Sequence, residues 1–493
     1  GFTLAPRTMA YLGELSVALL CLLIVYFLCV RNRKRLPPLA TESMVSTIAA
    51  MTTSDAPWFV LRLAQKYPGR VFRMRVPQWR PWVVIADGPT ARAVLRASAA
   101  DKPSLYSNLD GVTAGWPSFF TSPDGPRWAH ARKGVSHAFT SSLIRDKLDA
   151  LESCAALGRR LDMLSASGEE FDAAQLMIKL MIDVLGETVL AGFDFGMLRG
   201  GGDSSGMGLR FLEVVEPALM EYALKRTNNP LRKLMAFAIP EARAAGRAAV
   251  ELMRIANEVM DEFRSRREAA ASASEREELD ATIIGKLVSN PNYAQEQERA
   301  ADMVNFLIAG HDTTGFTLAW TLYELAAHPE IADRLAADLR SNNEVAPERS
   351  EYLAAVINES MRLWPVAAMG SLRVLAEDLA LSDGAVIPAG AICSIPFLPV
   401  HRTAPVQDAG TFKPERWLKN VEPSLKENFM PFSTGRRNCV GQTLAMAELK
   451  RFLALIVAGY KLELVRPPKS DYFLTLKPAD GRLRVSKRPP MSH

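Results

Sequence analysis

Residues 432–441 read FSTGRRNCVG and run directly into QTLAMAELKRFLALIVAGY, residues 442–460, whose apolar positions recur at helical spacing. Cys439 therefore sits in a glycine-containing loop at the start of a helix. Helix N-terminal amides, with Arg436 and Arg437 close by in sequence, favour a deprotonated thiol, and such thiolates are nucleophiles or metal ligands. Gly435 and Gly441 let backbone amides approach the sulfur and moderate its charge. A structural cysteine packed at a helix start is the plain alternative.

The 493-residue chain is 48% apolar and lacks the biases of collagen, coiled coil or disorder, so it can bury a large core as one large or two moderate domains. A net charge of +5, from 59 basic and 54 acidic residues, is too small and diffuse for a nucleic-acid footprint. Cys21, Cys29, Cys154, Cys393 and Cys439 form no CxxC and no zinc-like spacing, and their odd number suits free thiols in a reducing compartment.

Residues 11–30, YLGELSVALLCLLIVYFLCV, are interrupted only by Glu14 and as a helix would span roughly 30 Å, the thickness of a bilayer core. Arg31, Arg33, Lys34 and Arg35 follow, and the positive-inside bias sets that flank and all that comes after it on the cytosolic side. Basic residues behind the apolar run, instead of in front of it, favour an anchor over a cleaved signal. Leu36, Pro37, Pro38 and Leu39 then break the helix as a stiff hinge. The expected organisation is a membrane anchor over residues 1–35 and one catalytic body over residues 36–493.

In the body, residues 70–76 and 82–87 read as two strands. Helical periodicity follows over 176–190, 208–224, 241–266, 298–327 and 348–363. Residues 200–206 and 268–278 read as exposed loops, 374–395 as a second strand-rich region, and 460–465 with 472–485 as terminal strands turning at Asp480-Gly481. The fold class is α+β, mostly α-helical, with minor β-sheets and one N-terminal transmembrane helix.

Phe432, Gly435, Arg437, Cys439 and Gly441 match FxxGxRxCxG, and Ala445 fits its extension. Here the chain resembles the cytochrome P450 family, whose haem-binding loop carries this pattern. Further stretches match in the family's chain order. Glu359 and Arg362 form ExxR, and with Arg416 of PERW they resemble the family's structural triad; Leu363, Trp364 and Pro365 beside the pair point to burial. Ala309-Gly310-His311-Asp312-Thr313-Thr314 resembles the oxygen-activation segment, where a Thr hydroxyl can divert the i−4 carbonyl and Gly removes bulk, so that the helix opens locally. Trp128 and Arg132 form WxxxR, resembling a haem-propionate contact, with Arg373 and Arg437 placed to meet the same carboxylates bidentately.

The resemblance implies the cytochrome P450 fold and a haem b whose iron takes the Cys439 thiolate as axial ligand. It further implies Thr313 and Asp312 as the proton relay to dioxygen. The product is a monooxygenated lipophilic small molecule. No flavin, nicotinamide or ferredoxin fingerprint is present, so NADPH-derived electrons are expected from NADPH–cytochrome P450 reductase, with cytochrome b5 as a further donor, at the endoplasmic reticulum membrane. Arg127, Lys133, Arg436 and Lys450 are candidates for the basic docking face. Substrate contacts are expected from residues 105–120, 366–369 and 473–476 and from the helix around Phe306 and Ala309. The candidate walls are Trp116, Phe119, Phe120, Phe306, Ala309, Val366 and Leu474. Residues 229–240, apolar with flanking cations, are a candidate membrane contact.

In the fatty-acid ω-hydroxylase branch a Glu that bonds covalently to haem often precedes GHDTT; Ala309 stands there, so no such ester is expected. A haem-thiolate isomerase or dehydratase that needs neither dioxygen nor reductase is the alternative, against which the Asp312-Thr313 pair argues. A non-catalytic haem sensor or carrier is a third class, for which the relay segment would be superfluous.

Overall fold

The computed structural model describes residues 35–76, 80–97, 100–139, 151–198, 206–226, 230–341 and 349–489. The apolar run at 11–30 and most of the loop at 200–206 lie outside them. Among the described residues no helix is long and apolar enough to cross a membrane.

β1 (Val71–Met74) and β2 (Trp82–Ile85) pair antiparallel, as their alternation predicts. β3 (Ala100–Asp101) joins the same sheet from the other edge. The later strand-rich region supplies β4 (Ser371–Leu375), a small hairpin of β5 (Leu379–Ala380) and β6 (Val386–Ile387), and β7 (Ile392–Ile395). The five-stranded order is β1-β2-β7-β4-β3. β2 and β7 run parallel, and their WVVI and ICSI sequences are buried almost throughout, as central strands covered on both faces must be. Arg373, opposite Cys393 in this sheet, is carried into the interior.

The helices that position the site include α1 (Pro126–Ser136), α2 (Ala173–Thr188), α3 (Met207–Leu219), α4 (Pro240–Ala269), α5 (Ala273–Ala281), α6 (Glu296–Ala327), α7 (Glu351–Leu363) and α8 (Gln442–Gly459). α6, about 48 Å long at 1.5 Å per residue, is the spine, and α2, α4, α7 and α8 all pack against it. α2 starts where the Asp172 carboxylate accepts the Ala174 and Gln175 amides at 2.8 and 3.2 Å, satisfying two orphan donors.

Three expectations change. Residues 268–278 are not one loop, because Ser272 caps α5 by accepting the Glu275 amide while Glu275 accepts the Ala271 amide, a capping box. Asp480-Gly481 is not a hairpin turn. It links β10 (Leu476–Ala479) to β11 (Arg482–Lys487), which belong to different sheets: β10 pairs with β9 (Lys469–Tyr472), and β11 pairs back to β8 (Tyr460–Arg466). The expected opening at Gly310 is also absent, since α6 runs unbroken. A Cβ on Gly310 would lie 2.4 Å from the Leu185 side chain, so the glycine is there to admit α2.

Gly310→Ala should therefore lower stability by about 1–3 kcal/mol through overpacking. A double-mutant cycle with Leu185→Ala, read by denaturant unfolding, should show the two losses partly cancelling.

Candidate active site

The buried ExxR pair is the best-determined feature of the site. Glu359 and Arg362 on α7 are both 0% exposed. Arg362 grips the carboxylate through Nε and an Nη, each at 2.8 Å. The same carboxylate accepts Arg416 Nε at 2.9 Å, Trp417 Nε1 at 2.8 Å and the Lys413 amide at 3.0 Å. Arg362 also donates to the Ala409 and Thr411 carbonyls, and Arg416 to those of Gln407 and Asp408. One carboxylate thus fixes the whole 407–417 segment to α7. These donors hold Glu359 below the ordinary carboxylate range against the opposing pull of burial.

From there the packing leads to the cysteine loop. Trp417 meets Phe429 at 4.5 Å, and the Met430 amide donates to His401 Nε2 at 3.1 Å. Burial pushes that imidazole down to about 3, so it is a neutral acceptor. The Phe432 carbonyl accepts the Cys439 amide at 2.9 Å and closes the loop. Gly435 adopts a left-handed φ of 78°, and a Cβ there would meet the Leu95 carbonyl at 2.3 Å. Gly435 is therefore required by backbone packing and not by the sulfur; the amides that reach the thiol are those of Gly441 and Gln442.

The cations are distributed differently from the expectation. Arg132 donates to the Asn438 carbonyl and to Asn438 Oδ1, both at 2.7 Å, bracing the residue before Cys439, and it is the cation that acts on the thiol. Arg436 and Arg437 instead both pair with Asp124, and Arg437 lies 3.9 Å over the Trp128 ring. The Gly441 and Gln442 amides and Arg132 favour the thiolate, as expected of a helix start, while burial outweighs them and holds the Cys439 thiol above its ordinary range. A metal ion beside the sulfur would favour the thiolate further.

Cys439 carries accessible surface although protein encloses it on nearly every side, so that surface faces an internal cleft and not bulk water. A second accessible stripe lies on α6, where Ala309 is exposed and Thr313 half-exposed within a helix otherwise buried along most of its length. Thr313 Oγ1 donates to the Ala309 carbonyl at 2.7 Å, the i−4 diversion expected of it. Asp312 is buried on another face. It accepts the Thr475 hydroxyl at 3.1 Å and meets His311 Nε2 at 3.2 Å, and burial raises it above the ordinary carboxylate range.

At the rim of the cleft Lys102, Arg373, Arg436 and Arg437 share two carboxylates, Asp101 and Asp124. Burial with Arg436 depresses Arg373, burial with Arg373 depresses Arg437, and Lys102 is held well below the ordinary lysine range by burial and by Arg437 and Arg373. The buried guanidinium groups of Arg373 and Arg437, with Lys102 beside them, suit the two propionates of a haem. With an enclosed thiol and a threonine-bearing face of α6, the residues present fit that group.

Among the expected walls, the rings of Phe119 and Phe306 stack with centroids 6.3 Å apart, and Phe306 also packs on Phe139. Trp116 and Leu474 are half-buried against the main core, and the Val366 carbonyl accepts the Leu476 amide at 2.8 Å. Phe120 is 42% exposed and packs edge-on against Tyr106 beneath Lys102. Arg127 is a correction. It is not a free docking cation, because it is committed to Glu298 at 3.3 Å and to the Pro117 carbonyl at 2.6 Å.

The sequence model described as Cytochrome P450 matches residues 37–485. The chain belongs to the cytochrome P450 family. It is 29% identical over 379 residues to the cytokinin hydroxylase of Arabidopsis thaliana, covering 72% of this chain and 71% of that one. It is 36% identical over 205 residues to cytochrome P450 4F3 of Rattus norvegicus and over 198 residues to leukotriene-B4 omega-hydroxylase 3 of Mus musculus. The matches span 39% and 37% of those two proteins' lengths. The haem domain of cytochrome P450DA superposes with a TM-score of 0.75 at 21% identity, over 93% of this chain and 98% of that one, and so shares the fold. The chain is thus a P450 oxidoreductase of the monooxygenase class.

Lys102, Asp124, Asn438, Trp417 and Thr475 were not legible as parts of this P450 site. Trp417 within PERW, Asn438 within the cysteine loop and Thr475 within the expected 473–476 contact segment had nearby signals, whereas Lys102 and Asp124 had none.

Removing Glu359 strands two buried guanidinium groups, a loss of about 3–5 kcal/mol. Glu359→Ala should yield no folded, haem-loaded protein, judged by the Soret absorbance of purified material. Because the folded pKa of Glu359 lies below its ordinary value, its stabilisation is present above about pH 4.5 and disappears as pH falls through the folded value. Acid unfolding followed by fluorescence should show that loss.

Proposed function

We propose that this protein is a membrane-anchored haem-thiolate monooxygenase that places one atom of dioxygen on a lipophilic small molecule. The observation that carries the reading is the pairing of an enclosed but accessible Cys439 with the accessible Ala309–Thr313 turn of α6, beneath a rim that carries Lys102 and Arg373. Cys439 would ligate the haem iron, and Lys102, Arg373 and Arg437 would hold the propionates. Arg132 with Trp128, expected as a propionate contact, has the added task of bracing Asn438 and the loop. When bound, the haem supplies an iron that activates dioxygen for insertion into a C–H or C=C bond.

The chain's own residues supply binding, dryness and protons. Thr313, with its hydrogen directed to the Ala309 carbonyl, offers its oxygen lone pairs to the cleft and can rotate to donate. Asp312, raised by burial, holds a proton at a higher pH than an exposed carboxylate and passes it by way of Thr475. The surface end of this route is the Lys477–Glu216 pair at 3.0 Å, both charges of which act on Asp312. Trp116, Phe119, Phe306, Ala309, Val366 and Leu474 make an apolar chamber, which suits a lipophilic substrate. The printed names of the Arabidopsis and mouse relatives, both hydroxylases, support insertion of oxygen as the outcome.

Electrons arrive from an NADPH-dependent flavoprotein reductase that meets the basic side near the cysteine loop, where Lys133 is exposed. The anchor over residues 1–35 and the body over 36–493 place the enzyme on the cytosolic face of the endoplasmic reticulum. Leu234 and Phe237, 73% and 79% exposed within the apolar stretch at 229–240, support contact of the body with the same membrane.

The reduced, CO-bound protein should show the red-shifted Soret band of a thiolate ligand, and Cys439→His should lose that band while retaining haem. Turnover of a lipophilic compound selected by its Soret shift should require both NADPH and reductase; product formed without either would establish the isomerase class instead. Thr313→Ala should reduce product formed per NADPH by about 10²-fold, with the thiolate CO band unchanged.

A further inference from the structure

We propose that Asp302 is a positioning residue that clamps the Phe119 wall onto α6 and thereby sets which shapes fit above Ala309. The proposal deepens the monooxygenase reading, since it assumes that the Ala309 face lines the substrate chamber. Asp302 is 1% exposed on α6. Its Oδ1 accepts the Phe119 backbone amide, and its Oδ2 accepts the Tyr293 hydroxyl at 2.5 Å. Positions 302, 306, 309 and 313 fall on one face of a helix with 3.6 residues per turn. The carboxylate that holds the Phe119 amide therefore stands one turn before the Phe306 ring that stacks on the Phe119 side chain, and two turns before Ala309. Phe119 is gripped at its backbone and at its ring by the same helix face.

The rest of the loop is held from α1. Arg127 donates to the Pro117 carbonyl and to Ser122 Oγ, on either side of Phe119. Its Nε faces Glu298 at 3.3 Å, and no salt bridge joins it to Asp302 among the described pairs. The titratable and charged groups that act on Asp302 are Tyr293, Arg127 and Glu298. A carboxylate so placed, with two hydrogen bonds and no cation in contact, is not a stability device of the Glu359 kind. Its two acceptors do a geometric task, joining the loop and Tyr293 to α6.

The same geometry sets a pH dependence. Burial pushes the Asp302 carboxyl up to about 6. Opening the loop hydrates the group and returns it towards the ordinary value of about 3.9. The clamped form thus binds the proton more tightly, and lowering the pH through 6 strengthens it. Both contacts survive protonation, because the carbonyl oxygen still accepts the Phe119 amide and the new O–H donates to Tyr293 Oη. Asp302→Asn reproduces this neutral arrangement, with the amide oxygen accepting and its NH2 donating.

The test uses the haem-loaded full chain and two iron-binding probes: imidazole, which is too small to reach the wall, and 4-phenylimidazole, which is not. In Asp302→Ala, hydrogen-exchange protection of residues 117–122, corrected for intrinsic rates, should fall about tenfold or more, and 4-phenylimidazole should bind about tenfold more weakly. Imidazole affinity should stay within about twofold. In Asp302→Asn, protection should persist and no longer vary between pH 5 and 8, whereas in the native chain it should rise as pH falls. Unchanged protection in the Ala variant, equal weakening of both probes, or an Asn variant that keeps the native pH dependence overturns the clamp. If Asp302→Ala does not load haem, the Asn comparison decides alone. A native chain whose Soret band ignores imidazole would refute the haem site itself, a failure the exchange measurements distinguish from failure of the clamp.

Discussion

The Glu359 carboxylate is the constraint on which the rest of the site depends. A buried charge without donors is prohibitively costly, and here the cost is offset by five hydrogen bonds, from Arg362 twice and from Arg416, Trp417 and the Lys413 amide. Because those donors come from α7 and from the 407–417 segment, satisfying the charge is the same event as docking that segment. Trp417 then carries the order to Phe429, and the Met430 amide on neutral His401 carries it towards Phe432, whose carbonyl closes the cysteine loop. The position of Cys439 is therefore a long-range consequence of an ion pair on another helix.

Around that loop, charge is arranged for a ligand and not for the apoprotein. The thiol lies above its ordinary range, and the rim cations depress one another, so the isolated chain holds two electrostatic deficits of opposite sense. A cofactor carrying a metal cation and two carboxylates would relieve both. This is the physical sense in which the residues fit a haem, and it links cofactor binding to the stability of the fold.

The long helix α6 unites the remaining functions by periodicity. Asp302, Phe306, Ala309 and Thr313 recur along one face, so wall positioning, packing and proton handling share one rigid ruler, while Asp312 and His311 turn towards β10 and α3. Thr317 and Thr321 repeat the i−4 hydroxyl bond of Thr313 at 2.7 Å each, which keeps successive carbonyls satisfied beyond the site. Gly310 leaves room for the Leu185 side chain of α2 against this helix.

What the sequence determined by itself was whatever is encoded within one element: the FxxGxRxCxG loop before α8, ExxR one turn apart on α7, GHDTT along α6, and the helix and strand periods that set the fold class. Helical spacing places Thr313 and Ala309 on one face, and a glycine loop before a helix marks Cys439, without any knowledge of neighbours. The tertiary structure alone decided which charges meet. It turned Arg132 to Asn438 and Arg437 to Asp124, withdrew Arg127 from the surface, brought Lys102 to the rim, and seated the Phe119 amide on Asp302. It also reassigned Gly310 and Gly435 from chemistry to packing, and split the expected terminal hairpin between two sheets. The reason is the same in each case: local spacing constrains directions within a helix or turn, whereas a buried charge or a missing Cβ is answered by whichever distant segment the chain path delivers.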